Sequence, residues 1–241
     1  MDLREANNVP GLFRVKDHWY YAAKYAFVRK LIGNTTHKLL LDVGAGSGLF
    51  GRAALDDRIA GKVVSVDLAY REGVPDCASG DDMICLPSIE FTEADLALML
   101  DVIEHVQDDV SFLKEYRNKI TPGCTVIVSV PAFNCLWSEH DKVLGHFRRY
   151  TIKSLEATLT AAGYQIEKTC YFFGAIFPAV FVLRSFDRLF RCFGGAPRET
   201  SDLKEHGRFL NWFLEKVCLA ELRMSQKNRY FGLTVFAVCK I

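Results

Sequence analysis

An α/β fold on a doubly wound, mostly parallel sheet is predicted by three features of the sequence. Apolar runs recur at 39–43, 63–66, 96–100 and 126–130 without polar alternation, the pattern of strands covered on both faces. Between runs lie segments long enough for crossover helices, such as 49–59 and 108–120, the second closed by Thr121, Pro122 and Gly123; such alternation implies right-handed crossovers. The composition agrees: of 241 residues, 50% are hydrophobic and 24% charged, enough for one large core and unlike a disordered chain.

The elements follow in order. Residues 18–32 carry Trp19, Ala22, Ala23, Ala26, Phe27 and Leu31 at helical spacing, an amphipathic helix for one face of the sheet, with Gly33 as its stop. Beyond the alternating core, 154–162 reads as a helix stopped by Gly163, 165–173 as a strand and 233–240 as a last strand. An insertion, 174–231, separates the last two strands and predicts two helices around Gly194, Gly195 and Pro197; the second places Leu210, Phe213, Val217, Ala220 and Met224 on one stripe. The expected division is 1–37 as a helical cover, 38–173 as the core, 174–231 as the insertion and 232–241 as the final core strand.

The formal charge of +1 gives no global field for a nucleic-acid partner. Eight scattered cysteines with no C-x-x-C pair, and no leader-like start, predict free thiols in a reducing cytoplasm. The longest uncharged apolar run, 170–183, has 14 residues, short of the roughly 17 to 25 that a spanning helix needs.

The chemistry concentrates where the first strand meets a glycine turn, Asp42-Val43-Gly44-Ala45-Gly46-Ser47-Gly48. Strand, glycine turn and helix in succession suit a nucleotide-type cofactor, because glycine permits positive φ and close approach of backbone N–H groups. The dinucleotide fingerprint wants glycine at the sixth turn position, where this chain has Leu49, and the Asp42 carboxylate suits a cationic ligand better than a pyrophosphate. Asp67 ends the second strand beside that turn, where a carboxylate accepts both hydroxyls of a ribose or simply caps a strand.

In order, LLLDVGAGSGLF, VVSVD, GDDMICLP, ADLALMLDVIEHV and ITPGCTVIVSVPA resemble the motifs of class I S-adenosylmethionine-dependent methyltransferases over residues 38 to 163. The resemblance implies a seven-stranded Rossmann-like sheet with an antiparallel last strand and S-adenosylmethionine as cofactor. It implies that Gly44, Ala45 and Gly46 cradle the methionine part, that Asp42 meets its ammonium, that Asp67 holds the ribose and that Leu68 also contacts the cofactor. Asp82, with Asp81 as the alternative, and the Met83 backbone would contact adenine, and Leu100, Asp101 and His105 complete the cofactor set. The departure is a weak third strand near 75–80, with Cys77, Ala78 and Ser79.

Methyl transfer needs alignment more than a metal, and the positioning loops follow the fourth and fifth strands. The second, 132–150, is long for its place, which favours a functional lid. Its Trp137-Ser138-Glu139-His140-Asp141 and Gly145-His146-Phe147-Arg148-Arg149-Tyr150-Thr151 resemble the W-x-x-H-D and G-H-x-R-R-Y-T segment of a bacterial branch of the family. His140 and His146 are the candidate general bases, since a histidine near its ordinary pKa suits a hydroxyl acceptor. Tyr21, Trp137 and Arg149 are the candidate acceptor contacts, although Arg148 and Arg149 could instead pair with Glu139 and Asp141. No H-x-x-x-H set or thiol cluster predicts a metal.

From 184 to 230 there are ten Lys or Arg and six Asp or Glu, with Arg184, Arg188 and Arg191 opposite Val182, Phe186, Leu189 and Phe193 on a helix. Such a helix fits a membrane interface, a cover for the sheet or a homodimer contact. Ser201-Asp202-Leu203-Lys204 and Asn211 resemble the tail of the same branch, for which lipid-linked or envelope acceptors are expected. The function expected is methyl transfer to an unidentified small-molecule, lipid-linked or glycan acceptor, in the cytoplasm or at the inner membrane face. The alternatives are a non-catalytic cofactor-binding or membrane-adaptor protein and an NAD-dependent oxidoreductase.

Overall fold

A computed structural model describes residues 14–70, 81–192 and 207–241, without the side chains of 190–192. Among them seven strands form one sheet in the order β3-β2-β1-β4-β5-β7-β6. They are β1 (His37–Val43), β2 (Ala60–Val66), β3 (Met83–Leu86), β4 (Leu96–Leu100), β5 (Thr125–Pro131), β6 (Gln165–Phe172) and β7 (Thr234–Lys240). The first five run parallel, and β7 lies antiparallel between β5 and β6. Every residue of β4 is buried, as its unbroken apolar run requires of a central strand. The order reverses between β1 and β4, and at such a switch point the loops part at the carboxyl ends of the strands and open a crevice.

Helices cover both faces. One carries α1 (Trp19–Ile32), α2 (Leu49–Asp56) and, outside α1, the later helix of the insertion; Phe27, Leu40, Leu49, Leu98, Phe172 and Phe236 share that core. On the other, α3 (Asp109–Lys119) and α5 (Ile152–Ala161) pack Leu113, Leu155 and Leu159 on Leu41, Met99 and Val128. Local chemistry sets the ends of these helices. His18 Nδ1 accepts from Tyr20 N–H at the start of α1, which stops at Gly33 with φ of 79°; Asp108 caps α3 by accepting from Ser111 N–H.

The insertion adds α6 (Phe177–Cys192) and α7 (Arg208–Ser225). The stripe expected to organise α7 faces largely outward: Leu210, Phe213 and Met224 are exposed, and Leu214, Cys218 and Leu222 pack inward. No helix among the described residues is long and apolar enough to cross a membrane. The glycine–proline break at 194–197, Phe193 and 201–204 lie outside the described residues, as do 71–80 with Cys77, Ala78 and Ser79. Cys85 is disulfide-bonded, a correction to the expectation of free thiols throughout; Cys124, Cys135, Cys170, Cys218 and Cys239 are free.

Candidate functional site

The glycine turn follows β1 at the switch point, with φ of 66°, 53° and 70° at Gly44, Gly46 and Gly48. A Cβ on Gly44 would stand 2.5 Å from Val102 Cγ2 in the loop after β4, so only glycine fits there. The donors of the turn point inward, contrary to the expectation that they face a ligand. Gly44 and Ala45 N–H groups donate to Val66 O (2.7 and 3.1 Å), Gly46 N–H to Asp67 Oδ2 (2.8 Å) and Gly48 N–H to Ala45 O (2.9 Å).

Carboxylates stand at the carboxyl ends of three adjacent strands. Asp67, after β2, clamps the turn through Gly46 and accepts from Ala69 N–H at 3.0 Å. Leu68 beside it is 80% exposed, an apolar surface open to a ligand. Asp42, on β1, is buried opposite Ser65 of β2. Among the described residues its Oδ2 and Ser65 Oγ have no hydrogen-bond partner, and burial pushes its carboxyl up to about 6. Asp101, just beyond Leu100 of β4, has a left-handed φ of 55° and pairs with the buried ammonium of Lys24 from α1. Tyr20 and Ser129 hydroxyls also reach it, at 3.4 and 3.1 Å. Burial raises the Asp101 pKa, but Lys24 outweighs burial and holds it below the usual carboxylate range. Sequence reading missed Tyr20 and Lys24; a lysine within the apolar stripe of α1, one turn after Tyr20, was the available signal.

Two expected cofactor residues fall elsewhere. Met83 pairs with Val63, while Leu86 pairs with Val66 at the carboxyl end of β2. Asp82 and Met83 therefore stand at the amino end of β3, and four positions at 3.3 Å each put Asp82 about 13 Å from the ligand edge. Met83 is a core residue and Asp82 O accepts from Val63 N–H; Asp81 precedes them and shares the correction. The D-x-x-x-L-P pattern misled because it assigns the strand to residues before Asp81.

The segment after β5 expected to form a lid is closed at its base. Phe133 N–H donates to Tyr150 O and Tyr150 N–H to Pro131 O, at 2.8 and 2.9 Å. Within it, α4 (Glu139–Leu144) starts at a capping box in which Ser138 N–H donates to Asp141 Oδ2 at 2.8 Å and ends at Gly145 with φ of 71°. Asp141 is the hub. Fully buried, it binds His146 Nδ1 at 2.8 Å and accepts from Arg149 Nε and Nη2 at 2.7 and 3.0 Å. Burial alone would raise its pKa; the His146 and Arg149 bonds outweigh that and hold it far below the usual range.

This arrangement separates the acceptor candidates. Arg149 is committed to Asp141 and, through Nη1, to Ala132 O at 3.1 Å; it positions the lid and offers no free fork to an acceptor, a correction to its expected role. Arg148 bonds Asp109 and Gln107 O. Tyr21 is also corrected: only 2% exposed, it packs by His18 and Phe50, whereas the ring beside Asp101 is Tyr20. Trp137 is half-buried between the 3-10 turn Asn134–Leu136 and α4, and His140 is half-buried on α4. The His105 and His146 rings lie edge to face at 4.6 Å, and Phe147 N–H donates to Glu104 O at 2.8 Å, tying the lid to the loop after β4.

One orphaned carboxylate oxygen, on Asp42, an open apolar Leu68 and inward-turned donors fit a ligand with cationic and ribose parts and do not favour a pyrophosphate. Comparison with known proteins agrees. A model described as "Methyltransferase domain" matches residues 15–169, more than half of the chain. No curated protein matches the sequence significantly. Among solved structures, an S-adenosylmethionine-dependent methyltransferase from Mesorhizobium loti is similar at TM-score 0.57 and 15% identity, over 92% of this chain and 100% of that one. One from Archaeoglobus fulgidus gives 0.53 and 14%, over 92% and 93%. A chain from the complex of the Haloferax volcanii Trm112 methyltransferase activator with a methyltransferase gives 0.56 and 18%, over 93% and 89%. These likenesses establish the fold and the matched model establishes the family: the chain is a class I, S-adenosylmethionine-dependent member of the methyltransferase-domain family.

Proposed function

We propose that this enzyme moves a methyl group from S-adenosylmethionine to an ionisable acceptor, a hydroxyl in the simplest case, at the crevice between the glycine turn and the lid. The observation that carries this reading is the trio of carboxylates Asp42, Asp67 and Asp101 around a turn that presents no ring of donors. S-adenosylmethionine, when bound, supplies an electrophilic methyl group on a sulfonium leaving group. Asp42 would meet its ammonium, Asp67 the ribose hydroxyls, and Gly44, Ala45 and Gly46 the methionine chain, with Leu68, Leu100 and Asp101 alongside. Lys24 and Tyr20 keep Asp101 ionised and aimed. On the acceptor side stand Trp137, His105 and His146. Asp141 on Nδ1 fixes the His146 ring and leaves Nε2 as its second nitrogen, which favours His146 over His140 for engaging the acceptor's proton-bearing group.

Calorimetry with S-adenosylhomocysteine and with NAD tests the cofactor reading: binding of the first alone is expected, and a preference for NAD would overturn it. Turnover tests the histidines. His146→Ala should lower it about 10²- to 10⁴-fold with S-adenosylhomocysteine affinity retained, and an equal loss in His140→Ala would remove the distinction.

The acceptor is further proposed to be lipid-linked and reached at a membrane surface, with the protein on its cytoplasmic face. Phe181, Val182, Leu183, Phe186 and Leu189 on α6 and Phe209, Trp212 and Phe213 on α7 are all exposed, more apolar surface than solvated helices carry. Of the arginines expected to assist, Arg188 donates to Cys135 O at 2.5 Å beside the lid, and the Arg191 side chain lies outside those described. Flotation with anionic and neutral vesicles should show salt-sensitive binding, lost in a Phe181→Ser, Phe186→Ser variant. A dimer in sedimentation with no vesicle binding would assign the surface to a second copy instead.

A further inference from the structure

We infer that Glu104, His105 and His146 form a site for one divalent transition-metal ion of the zinc type, on the acceptor side of the crevice. The three residues come from two loops: Glu104 and His105 from the 3-10 turn Ile103–His105 after β4, and His146 from the lid after β5. One ligating atom from each lies within 4.8 Å of the others, a spread that a modest rotamer adjustment brings to metal-bond lengths of about 2.0 to 2.2 Å. Two imidazoles and one carboxylate make the donor set of open catalytic sites, three protein ligands with a position left for water or substrate.

A second observation points the same way. His146 binds Asp141 through Nδ1 at 2.8 Å, which leaves Nε2 as its ligating atom. Asp141 is fully buried and held by Arg149 and Ser138 as well, so the ring is fixed from behind. A carboxylate behind a histidine in this way is the usual outer partner of a metal-bound imidazole; it sets the tautomer and raises the basicity of the other nitrogen. The bond from Phe147 N–H to Glu104 O holds the two contributing loops in register.

For what the ion does, the inference rests on the methyl-transfer reading; for its binding, it stands on the three side chains alone. An ion here engages the acceptor hydroxyl on behalf of His146, which then serves as ligand and not as base. It fixes the oxygen and lowers the pKa of its proton, which passes to solvent.

The test uses the full-length protein, stripped with a chelator and titrated with Co²⁺ and with Zn²⁺ without cofactor. About one ion per chain is expected, with Co²⁺ giving visible absorption of a low-coordinate nitrogen–oxygen site. Glu104→Gln, His105→Ala and His146→Ala should each weaken binding at least about 10-fold and alter that absorption, and S-adenosylhomocysteine affinity measured on the Glu104→Gln and His146→Ala samples should persist. No binding of either ion at 100 µM by wild type (on the order of the weakest affinity useful to a resident ion), or binding unchanged in His105→Ala and Glu104→Gln, overturns the site. Loss of S-adenosylhomocysteine binding by wild type would instead overturn the methyl-transfer reading. If His146→Ala does not fold, the other two variants decide.

Discussion

The glycine turn and the lid each bury an aspartate, and the two are treated in opposite ways. Asp141 in the lid receives a two-pronged guanidinium, an imidazole and a backbone N–H; its negative charge is compensated and its pKa falls. Asp42 below the turn keeps an oxygen with no hydrogen-bond partner among the described residues, and its pKa rises to about 6. Burial is common to both, so depth alone does not determine a carboxylate's state; the number of donors aimed at it does. A buried charge with every partner in place belongs to the scaffold. Under the proposed function, Asp42 is held short of a partner for the ammonium of the cofactor, at some cost to the ligand-free fold.

The largest expected effect lies in the lid. Asp141→Ala leaves Arg149 buried and unpaired, and removing one member of a buried pair costs about 3 to 5 kcal/mol; urea unfolding measures it. A loss below about 1 kcal/mol would show that the lid is solvated in solution and that Asp141 is no hub. Next in size is Asp67→Ala, which removes the proposed acceptor for two ribose hydroxyls and should weaken S-adenosylhomocysteine binding by about 1.5 to 3 kcal/mol. Unchanged affinity in a folded variant would leave Asp67 as only the clamp on Gly46.

Asp42 provides the sharpest contrast. Its folded pKa lies above the unfolded value, so its contribution to stability is present below about pH 4 and is lost as pH rises through about 6. Asp42→Asn should therefore stabilise the ligand-free protein at pH 8 by about 1 to 2 kcal/mol while weakening cofactor binding. Binding to wild type near pH 6 should release a proton, seen as a dependence of calorimetric heat on the buffer. Affinity flat from pH 5 to 7 would mean that the ammonium does not meet Asp42. The smallest effect is expected at the exposed pair of Lys119 and Glu115, 2.6 Å apart on α3. Glu115→Ala should cost under about 0.5 kcal/mol, and a cost near that of Asp141→Ala would end the argument that desolvated partners matter most.

The parts of the site built from neighbours in the chain were legible in advance. The turn from Asp42 to Gly48, Asp67 at the end of β2 and the loops after β4 and β5 all lie where local pattern put them. Errors arose where the answer depended on packing at a distance. Asp82 and Met83 were misplaced because strand register depends on pairing with β2. Tyr21 was chosen over Tyr20 because the rotation of α1 is decided by what it packs against, and for Arg149 the pattern left two readings open, an acceptor contact or a pair with Asp141, between which only the packing of the segment decides. The outward stripe of α7 has the same origin: helical spacing shows which residues share a face, not which face turns inward.

The sequence by itself determined the strand–turn–helix order, the glycine turn that only a positive φ could close and the acidic residues at the strand ends, since these follow from backbone sterics and from periodicities of two and 3.6 residues. Only the tertiary structure decided which charges have partners. Lys24 meets Asp101 across 77 positions, and Glu104 and His105 meet His146 from a separate loop. The parallel sheet brings the carboxyl ends of its strands to one edge, and groups distant in the chain arrive there whatever their spacing.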